Sequence, residues 1–351
     1  MSRATFAVFG AVADNTAAFA TKFAEFLRFR LLKWCFHANF AVYSTSTPFN
    51  LKKYLNMKYA DSELIINADG SCFHLHLRPE QLADRVILVG DPGRVELVAS
   101  HFESRECEVA NREFRTITGN YRTASGEIKR ITVQSTGIGC DNIDIVVNEL
   151  DALANIDFLT REDRPAHRCL TLVRIGTCGG LHEDLPTGTY IASQKSLGFD
   201  GLLNFYEGRN EVCDLDFEAA FMEHMHWSGN QCIAHPYCID NDAELLEQIA
   251  RDDMKRGVTI ACGGFYGPQG RRLRIPLADP DQNAKIQEFR HEGLRFTNFE
   301  MESSAIAGLS ALLGHRALTV CMVVANRKVK AALTDYKGSI DGLITTVLER
   351  I

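Results

Sequence analysis

From about residue 57 the chain alternates short apolar runs with segments of helical periodicity. Runs rich in β-branched residues at Arg85 to Gly90, Ile128 to Gly137, Cys169 to Gly179, Thr189 to Leu197, Gly257 to Gly264 and Ala317 to Asn326 show little polar alternation, as expected of strands buried on both faces. Between several of them, apolar positions recur at helical spacing: Arg94 to Phe102, Asn142 to Ile156, Glu244 to Arg256, Asp281 to Leu294 and Ser303 to Leu313, with Gly342 to Ile351 at the end. Strands alternating with helices predict an α/β fold in three layers, αβα, with a mixed but mainly parallel central sheet flanked by helices. No internal repeat or low-complexity linker follows residue 57, so 57–351 reads as a single domain.

Residues 1–56 break the pattern. Nine of the 21 phenylalanines lie there, with seven Lys or Arg against only Asp14 and Glu25. Phe19, Phe23, Phe26 and Arg30 fall at helical spacing in this acid-poor, Ser/Thr-containing stretch, broadly as in an organelle transit peptide. A non-native extension upstream of Met57 and a divergent tail are the other readings of this segment.

Composition narrows the partners. A net charge of −7 argues against an extended nucleic-acid footprint, which relies on a cationic face that releases counterions. No apolar run reaches membrane-spanning length. The eleven cysteines are odd in number, include no Cys-x-x-Cys, and sit partly inside apolar runs, as at Cys169, Cys262 and Cys321. Reduced thiols and a cytoplasmic setting are therefore expected, with organelle targeting left open by residues 1–56.

Chemistry is sought in the turns after the strands, since parallel sheets bind ligands outside the carboxyl ends of their strands. Gly90-Asp91-Pro92-Gly93-Arg94 follows the first run and opens a helical segment. Glycines that allow close backbone approach, the N–H groups of the turn, the helix dipole and the Arg94 fork together suit an anion; an ordinary strand-to-helix turn would read the same way. Ser135-Thr136-Gly137-Ile138-Gly139 and Arg174-Ile175-Gly176-Thr177-Cys178-Gly179-Gly180 end two further runs. Arg174 lies in an otherwise buried stretch, where an unpaired guanidinium is costly, so it wants either a bound anion or a structural carboxylate. At Phe299-Glu300-Met301-Glu302-Ser303 two carboxylates could accept from vicinal hydroxyls, act as a general acid/base pair, or cap the following helix. The loop Gly263 to Arg272 offers Phe265 for stacking, Gln269 with donor and acceptor for an amide-like base edge, and Arg271 for charge developing on a leaving base. Its basic run could equally be a solvated loop.

Taken together, Phe73-His74-Leu75, Gly90 to Arg94, Arg112-Glu113-Phe114, Ser135 to Gly139, Arg174 to Thr177, Phe265-Tyr266 with Gln269 and Arg271, Glu300 to Ser303, and Asn326-Arg327 resemble, in order, the nucleoside phosphorylases of the uridine phosphorylase type across roughly residues 72 to 330. The resemblance implies phosphorolysis of a pyrimidine nucleoside, with inorganic phosphate as co-substrate and no cofactor. It implies that Gly90, Arg94, Arg174 and Thr177 hold phosphate, with Arg112 reaching in from a neighbouring subunit. Met301 and Glu302 would bind the ribose hydroxyls, with Glu300 and Thr177 beside them and His74 on the 5′-hydroxyl across a dimer interface. Phe265, Gln269 and Arg271 would take the uracil, with Arg271, Gln269 and Glu302 carrying the chemistry. The minimal unit would be a homodimer, with a larger ring open.

The chain departs from that pattern at Cys140-Asp141-Asn142, where related bacterial enzymes have Gly-Pro-Ser. An interface cation near Glu113, Ile138 and Asn142 is thereby put in question, and Asp141 is expected as a helix N-cap. Rival readings are a nucleosidase, which would have no use for three arginines at one end, a purine or broad-specificity phosphorylase, and a non-enzymatic nucleoside-binding protein. A dinucleotide-dependent dehydrogenase is disfavoured because no turn spells Gly-x-Gly-x-x-Gly.

Overall fold

The structure, a computed structural model, describes residues 58–227, 234–329, 331–333 and 337–351. Residues 1–56, with the basic Phe-rich segment, lie outside the described residues. The strands are β1 (Arg85–Val89), β2 (Ser104–Asn111), β3 (Phe114–Arg122), β4 (Ile128–Ser135), β5 (Ile156–Asp157), β6 (Glu162–Asp163), β7 (Thr171–Gly180), β8 (Tyr190–Gly198), β9 (Tyr237–Asp240), β10 (Lys255–Ala261), β11 (Phe296–Glu300), β12 (Arg316–Asn326) and β13 (Ala331–Ala332). The helices are α1 (Pro92–Ala99), α2 (Cys140–Asn155), α3 (Arg209–Val212), α4 (Leu215–His224), α5 (Ala243–Ile249), α6 (Gln282–Glu288), α7 (Ser303–Leu313) and α8 (Lys337–Arg350).

The large sheet runs β13-β12-β8-β10-β11-β7-β1-β4-β3-β2, with β9 on β8. Because β12 pairs with β7 as well as with β8, that half of the sheet closes on itself. Parallel pairing joins β1 to β4 and β7, β10 to β8 and β11, and β12 to β7. The sheet is more mixed than the strand–helix alternation suggests, since β2, β3 and β4 form an antiparallel meander and β8 runs against β12.

Helices cover both faces. On one, Val95 and Val98 of α1, Leu245 and Ile249 of α5, and Leu343 and Val347 of α8 pack on β1, β4 and β7. On the other, Ile143, Val146, Val147 and Leu150 of α2 meet Ile306 and Leu309 of α7. These side chains are fully buried, each adding about 1.5–3 kcal/mol of hydrophobic stabilisation. A third, aromatic cluster of Phe217, Phe221, Phe289 and Phe296 packs edge-on beside β10 and β11.

Two helices are shorter than their periodicity predicts. α5 stops at Ile249 because Gly257 to Ala261 are drawn into the sheet, where Gly257 lies so close to Thr297 that no Cβ would fit. α6 stops at Glu288 because Phe289 turns into the aromatic cluster, and Glu292 and Gly293, both at positive φ, then close a tight turn between His291 and Leu294. Among the described residues no helix is long and apolar enough to cross a membrane.

Candidate active site

A cavity of about 550 Å³ opens at the carboxyl ends of β1, β7, β11 and β12. Its wall combines ten of the residues singled out from sequence: Gly90, Arg94, Arg174, Thr177, Phe265, Gln269, Arg271, Glu300, Met301 and Glu302.

At one end, β1 stops at Val89 and α1 starts at Pro92, with the Asp91 carboxylate capping it by accepting from Gly93 N–H at 2.8 Å. Gly90 is close-packed, since a Cβ there would fall 3.3 Å from the Gly137 carbonyl. Register places Leu88 of β1 beside Arg174 of β7, so the first turn and the buried arginine share a strand end. Arg94 is buried and its Nη1 donates to the Ile175 carbonyl.

Arg174 settles one alternative left open by sequence. Its guanidinium forms a buried ion pair with Glu302, lies 3.3 Å from Glu300 Oε2 and contacts Cys321 Sγ at 3.5 Å. It is therefore paired within the protein by carboxylates. Burial works to lower its pKa, but Glu302 and then Glu300 outweigh that and hold it above its ordinary value. Its Nε is buried without a hydrogen-bond partner.

The two carboxylates divide their duties in a way the sequence does not show. Glu302 stands at the N-cap position of α7, yet its carboxylate does not cap that helix. Glu300 does, accepting from Glu302 N–H, Ser303 N–H and, at 2.6 Å, the Ser303 hydroxyl. Glu302 Oε1 accepts instead from Gly139 N–H at 2.8 Å, the N-cap residue of α2. Two helix N-termini thus converge on this pair, a setting that favours negative charge. Burial, with Glu302 beside it, nevertheless pushes the Glu300 pKa up against the pull of Arg174. The Cys140 thiol donates to the Met301 carbonyl, fixing the residue between them.

At the other end a short turn, Gly267–Gln269, presents Gln269, only 2% exposed. Arg271 Nη1 donates to Gln269 Oε1 at 2.5 Å and to the Phe265 carbonyl at 2.6 Å, and its guanidinium lies 3.7 Å from the Phe265 ring centre. Arg327, which the sequence reading left without a role, donates to the Gln269 carbonyl and, at 3.3 Å, to Gln269 Oε1. Burial lowers the pKa of both arginines, that of Arg327 to about 10 with Arg271 adding to the effect. The signal for Arg327 is a charged residue just past a mainly apolar strand.

His74, Arg112, Glu113 and Asn142 do not line the cavity. His74 is tied to Glu149 through Nδ1 at 2.6 Å, and its carbonyl accepts from Asn111. Arg112 follows Asn111 in the β2–β3 turn, at φ +53°, a left-handed conformation rare outside glycine. Both thus lie on one patch outside the cavity wall. Glu113 and Asn142 converge on Gly137, whose added Cβ would meet Asn142 Nδ2 and, at 3.1 Å, Glu113 Cγ. Ile138 is 70% exposed at the rim of the cavity. Asp141 is not the N-cap of α2: Gly139 holds that position at φ +103°, and Asp141 sits in the first turn.

Among the described residues one other group has metal-binding chemistry, Asp151, His167 and His315, beside the amino ends of β7 and β12. His315 Nδ1 accepts from Leu170 N–H, which leaves its proton on Nε2, 3.1 Å from Asp151. That tautomer leaves the ring no lone pair for a metal, although Nε2 makes no hydrogen bond to the nearby carboxylate.

Comparison with known proteins agrees with the geometry. The family model described as the Phosphorylase superfamily matches residues 84–346. A uridine phosphorylase of Treponema pallidum is 33% identical over 264 residues, 74% of this chain and 84% of its own. One from Thermococcus kodakarensis is 28% identical over 273 residues, 77% and 83%. A DeoD-type purine nucleoside phosphorylase of Geobacillus kaustophilus is 32% identical over 252 residues, 71% and 84%. Among solved structures, a Trypanosoma brucei nucleoside phosphorylase described as showing uridine phosphorylase activity superposes with a TM-score of 0.72 at 28% identity, over 82% of this chain and 98% of that one.

Proposed function

Because this chain belongs to the phosphorylase superfamily, we propose that it cleaves a pyrimidine nucleoside with phosphate, converting uridine and phosphate to uracil and ribose 1-phosphate. The observation that carries this reading is the two-ended cavity, in which Gln269 is held between Arg271 and Arg327 at one end while Gly90, Arg94, Arg174 and Thr177 stand at the other. Gln269 Oε1 accepts from both arginines, which directs its amide N–H₂ toward an acceptor such as a base carbonyl.

In the reaction the C1′–N1 bond breaks and a C1′–O bond to phosphate forms. The base leaves with the electron pair and gains the proton that phosphate gives up on forming the ester. Positive charge grows on the ribose near Glu300 and Glu302, and negative charge on the base near Arg271 and Arg327. Groups placed against developing charge bind the transition state more tightly than the substrate. No covalent nucleophile is needed. His74 and Arg112 complete the pocket of a second copy, so the active unit is a homodimer or a ring of them, working in pyrimidine salvage in the cytoplasm.

A purine reading has the DeoD-type relatives in its favour. Against it stands the end of β12, where Asn326 spends its amide on the His182 and Leu185 carbonyls and Arg327 follows, with no aspartate to protonate a purine. The test is a spectrophotometric assay of uridine, thymidine, inosine and adenosine with and without phosphate. Uridine turnover that needs phosphate is expected; inosine as the preferred substrate, or turnover in water alone, would overturn the reading.

A further inference from the structure

Outside the cavity wall, one carboxylate stands where the supports of the Glu300–Glu302 segment meet. Asp200, two residues past β8 and half-buried, accepts three hydrogen bonds. They come from the Tyr237 hydroxyl on β9 at 2.8 Å, the Ser304 hydroxyl in the first turn of α7 at 3.0 Å, and Leu202 N–H at 2.8 Å. Tyr237 and Ser304 are both wholly buried, with their oxygens 3.0 Å apart. The Cys140 thiol that holds the Met301 carbonyl is a further neighbour; burial and then Asp200 push its pKa up, so it stays a protonated donor.

Local backbone is shaped for this group. At Gly198 a Cβ would fall 2.6 Å from the Tyr237 ring and 2.7 Å from Asp200 Oδ2, and Gly201, at φ +75°, turns the chain directly after the carboxylate. The charge also comes at a cost, because Asp200 adds a third carboxylate to a region where Glu300 and Glu302 share Arg174. Three donors aimed at it satisfy its two oxygens. A brace of this kind spans three elements that approach the ribose segment from separate parts of the chain, β8, β9 and α7.

We propose that Asp200, through Ser304 and Tyr237, is a positioning residue that fixes the first turn of α7 and so orients Met301 and Glu302 toward the ribose hydroxyls. The proposal rests on the phosphorolysis reading above. The phosphate end is built mainly from other elements, the β1–α1 turn and β7, and meets the braced segment through the Arg174 ion pair with Glu302. Loss of the brace therefore bears more on uridine than on phosphate.

The test is steady-state kinetics on the full chain, with uridine and phosphate varied in turn, for Asp200→Ala, Asp200→Asn, Ser304→Ala and Tyr237→Phe, each with a melting curve. In Asp200→Ala the uridine KM is expected to rise and kcat to fall by about tenfold to a hundredfold, the scale of a small misplacement of reacting groups, with a smaller change in the phosphate KM, transmitted through the Arg174–Glu302 pair. Ser304→Ala and Tyr237→Phe should move the same parameters less, and Asp200→Asn should recover part of the loss, since its Oδ1 still accepts from Tyr237. The two milder variants carry the test if Asp200→Ala does not fold. Unchanged uridine parameters in folded variants overturn the proposal. So does an equal rise in both KM values, the mark of general loosening. A wild type without phosphorolysis overturns the proposed function and this inference with it, whereas an active wild type with insensitive variants overturns this inference alone.

Discussion

Replacing Arg271 by alanine separates the chemistry of the base end from its architecture. In the folded chain Arg271 makes two hydrogen bonds and stacks on Phe265. Neither hydrogen bond leaves a stranded partner when the side chain is cut back. Gln269 Oε1 keeps Arg327 at 3.3 Å, and Phe265, which is 49% exposed, can give its carbonyl to water. The stability lost is then chiefly the stacked cation, about 0.5–1 kcal/mol for a site this open. Turnover should suffer more, because a positioned donor facing developing negative charge is worth about 3–4 kcal/mol of barrier. At about 1.4 kcal/mol per factor of ten, kcat falls by roughly 10² to 10³. The assay is uridine absorbance at saturating phosphate, with a melting curve on the same preparation. Arg271→Lys should recover little, since one ammonium cannot reproduce the planar fork over Phe265. An alanine variant that turns over uridine within threefold of wild type would refute both the role of Arg271 and the base-end assignment.

Arg174→Met should cost about 3–5 kcal/mol, because Glu300 and Glu302 are left buried without their counter-ion; urea unfolding measures it, and wild-type stability would mean the buried triad is not formed. Gly176→Ala puts a Cβ against the Arg174 guanidinium and 3.0 Å from Cys321 Sγ. About 1–3 kcal/mol of overpacking strain is expected, with a raised phosphate KM, and an unaltered KM would show that Arg174 need not keep its place. Asp214 caps α4 at Phe217 N–H and pairs with Lys195 at 2.8 Å; although burial works to raise its pKa, these partners hold it below the usual value. A depressed carboxylate stabilises the fold above its unfolded pKa, about 3.9, and loses that contribution as pH falls through its folded value. Asp214→Ala should therefore cost about 1 kcal/mol or more at neutral pH, cap loss alone accounting for that much. Its deficit should shrink in acid, and a deficit that stays constant down to low pH would contradict the ion pair.

The strands that could be read from sequence are those whose surroundings leave a mark on their own residues. β1, β7 and β12 are buried on both faces over most of their length and show it as mainly apolar runs, while β4 keeps Ile131 and Val133 among buried polar Thr132 and Gln134. β2 is different: its residues Ser104 to Asn111 are largely exposed, three of the eight are charged, and it is held by pairing with β3 along one edge, so its cause lies in a partner strand. α4 was missed for a related reason. Its apolar positions, Phe217 and Phe221, answer to Phe289 and Phe296, some seventy residues on.

The site divides along the same line. Glycine turns and stray charges at strand ends are local marks, which is why Gly90, Arg94, Arg174 and the Gln269–Arg271 pair stood out and why the cavity gathers them. Partnerships are not local. That Glu300 rather than Glu302 caps α7, and that Arg174 is already matched by both, follows only from bringing residues 174 and 302 together. The consequence reaches the proposed chemistry. With two carboxylates against Arg174, the Arg174 and Arg94 charges at the phosphate end are balanced within one chain, and a dianionic phosphate entering there meets little net attraction beyond the helix and turn N–H groups. A further positive group is needed, and Arg112, away from this cavity on the patch that holds His74, is the residue a second copy can lend. On the proposed reading, the charge balance of the single-chain cavity is itself an argument for dimeric catalysis.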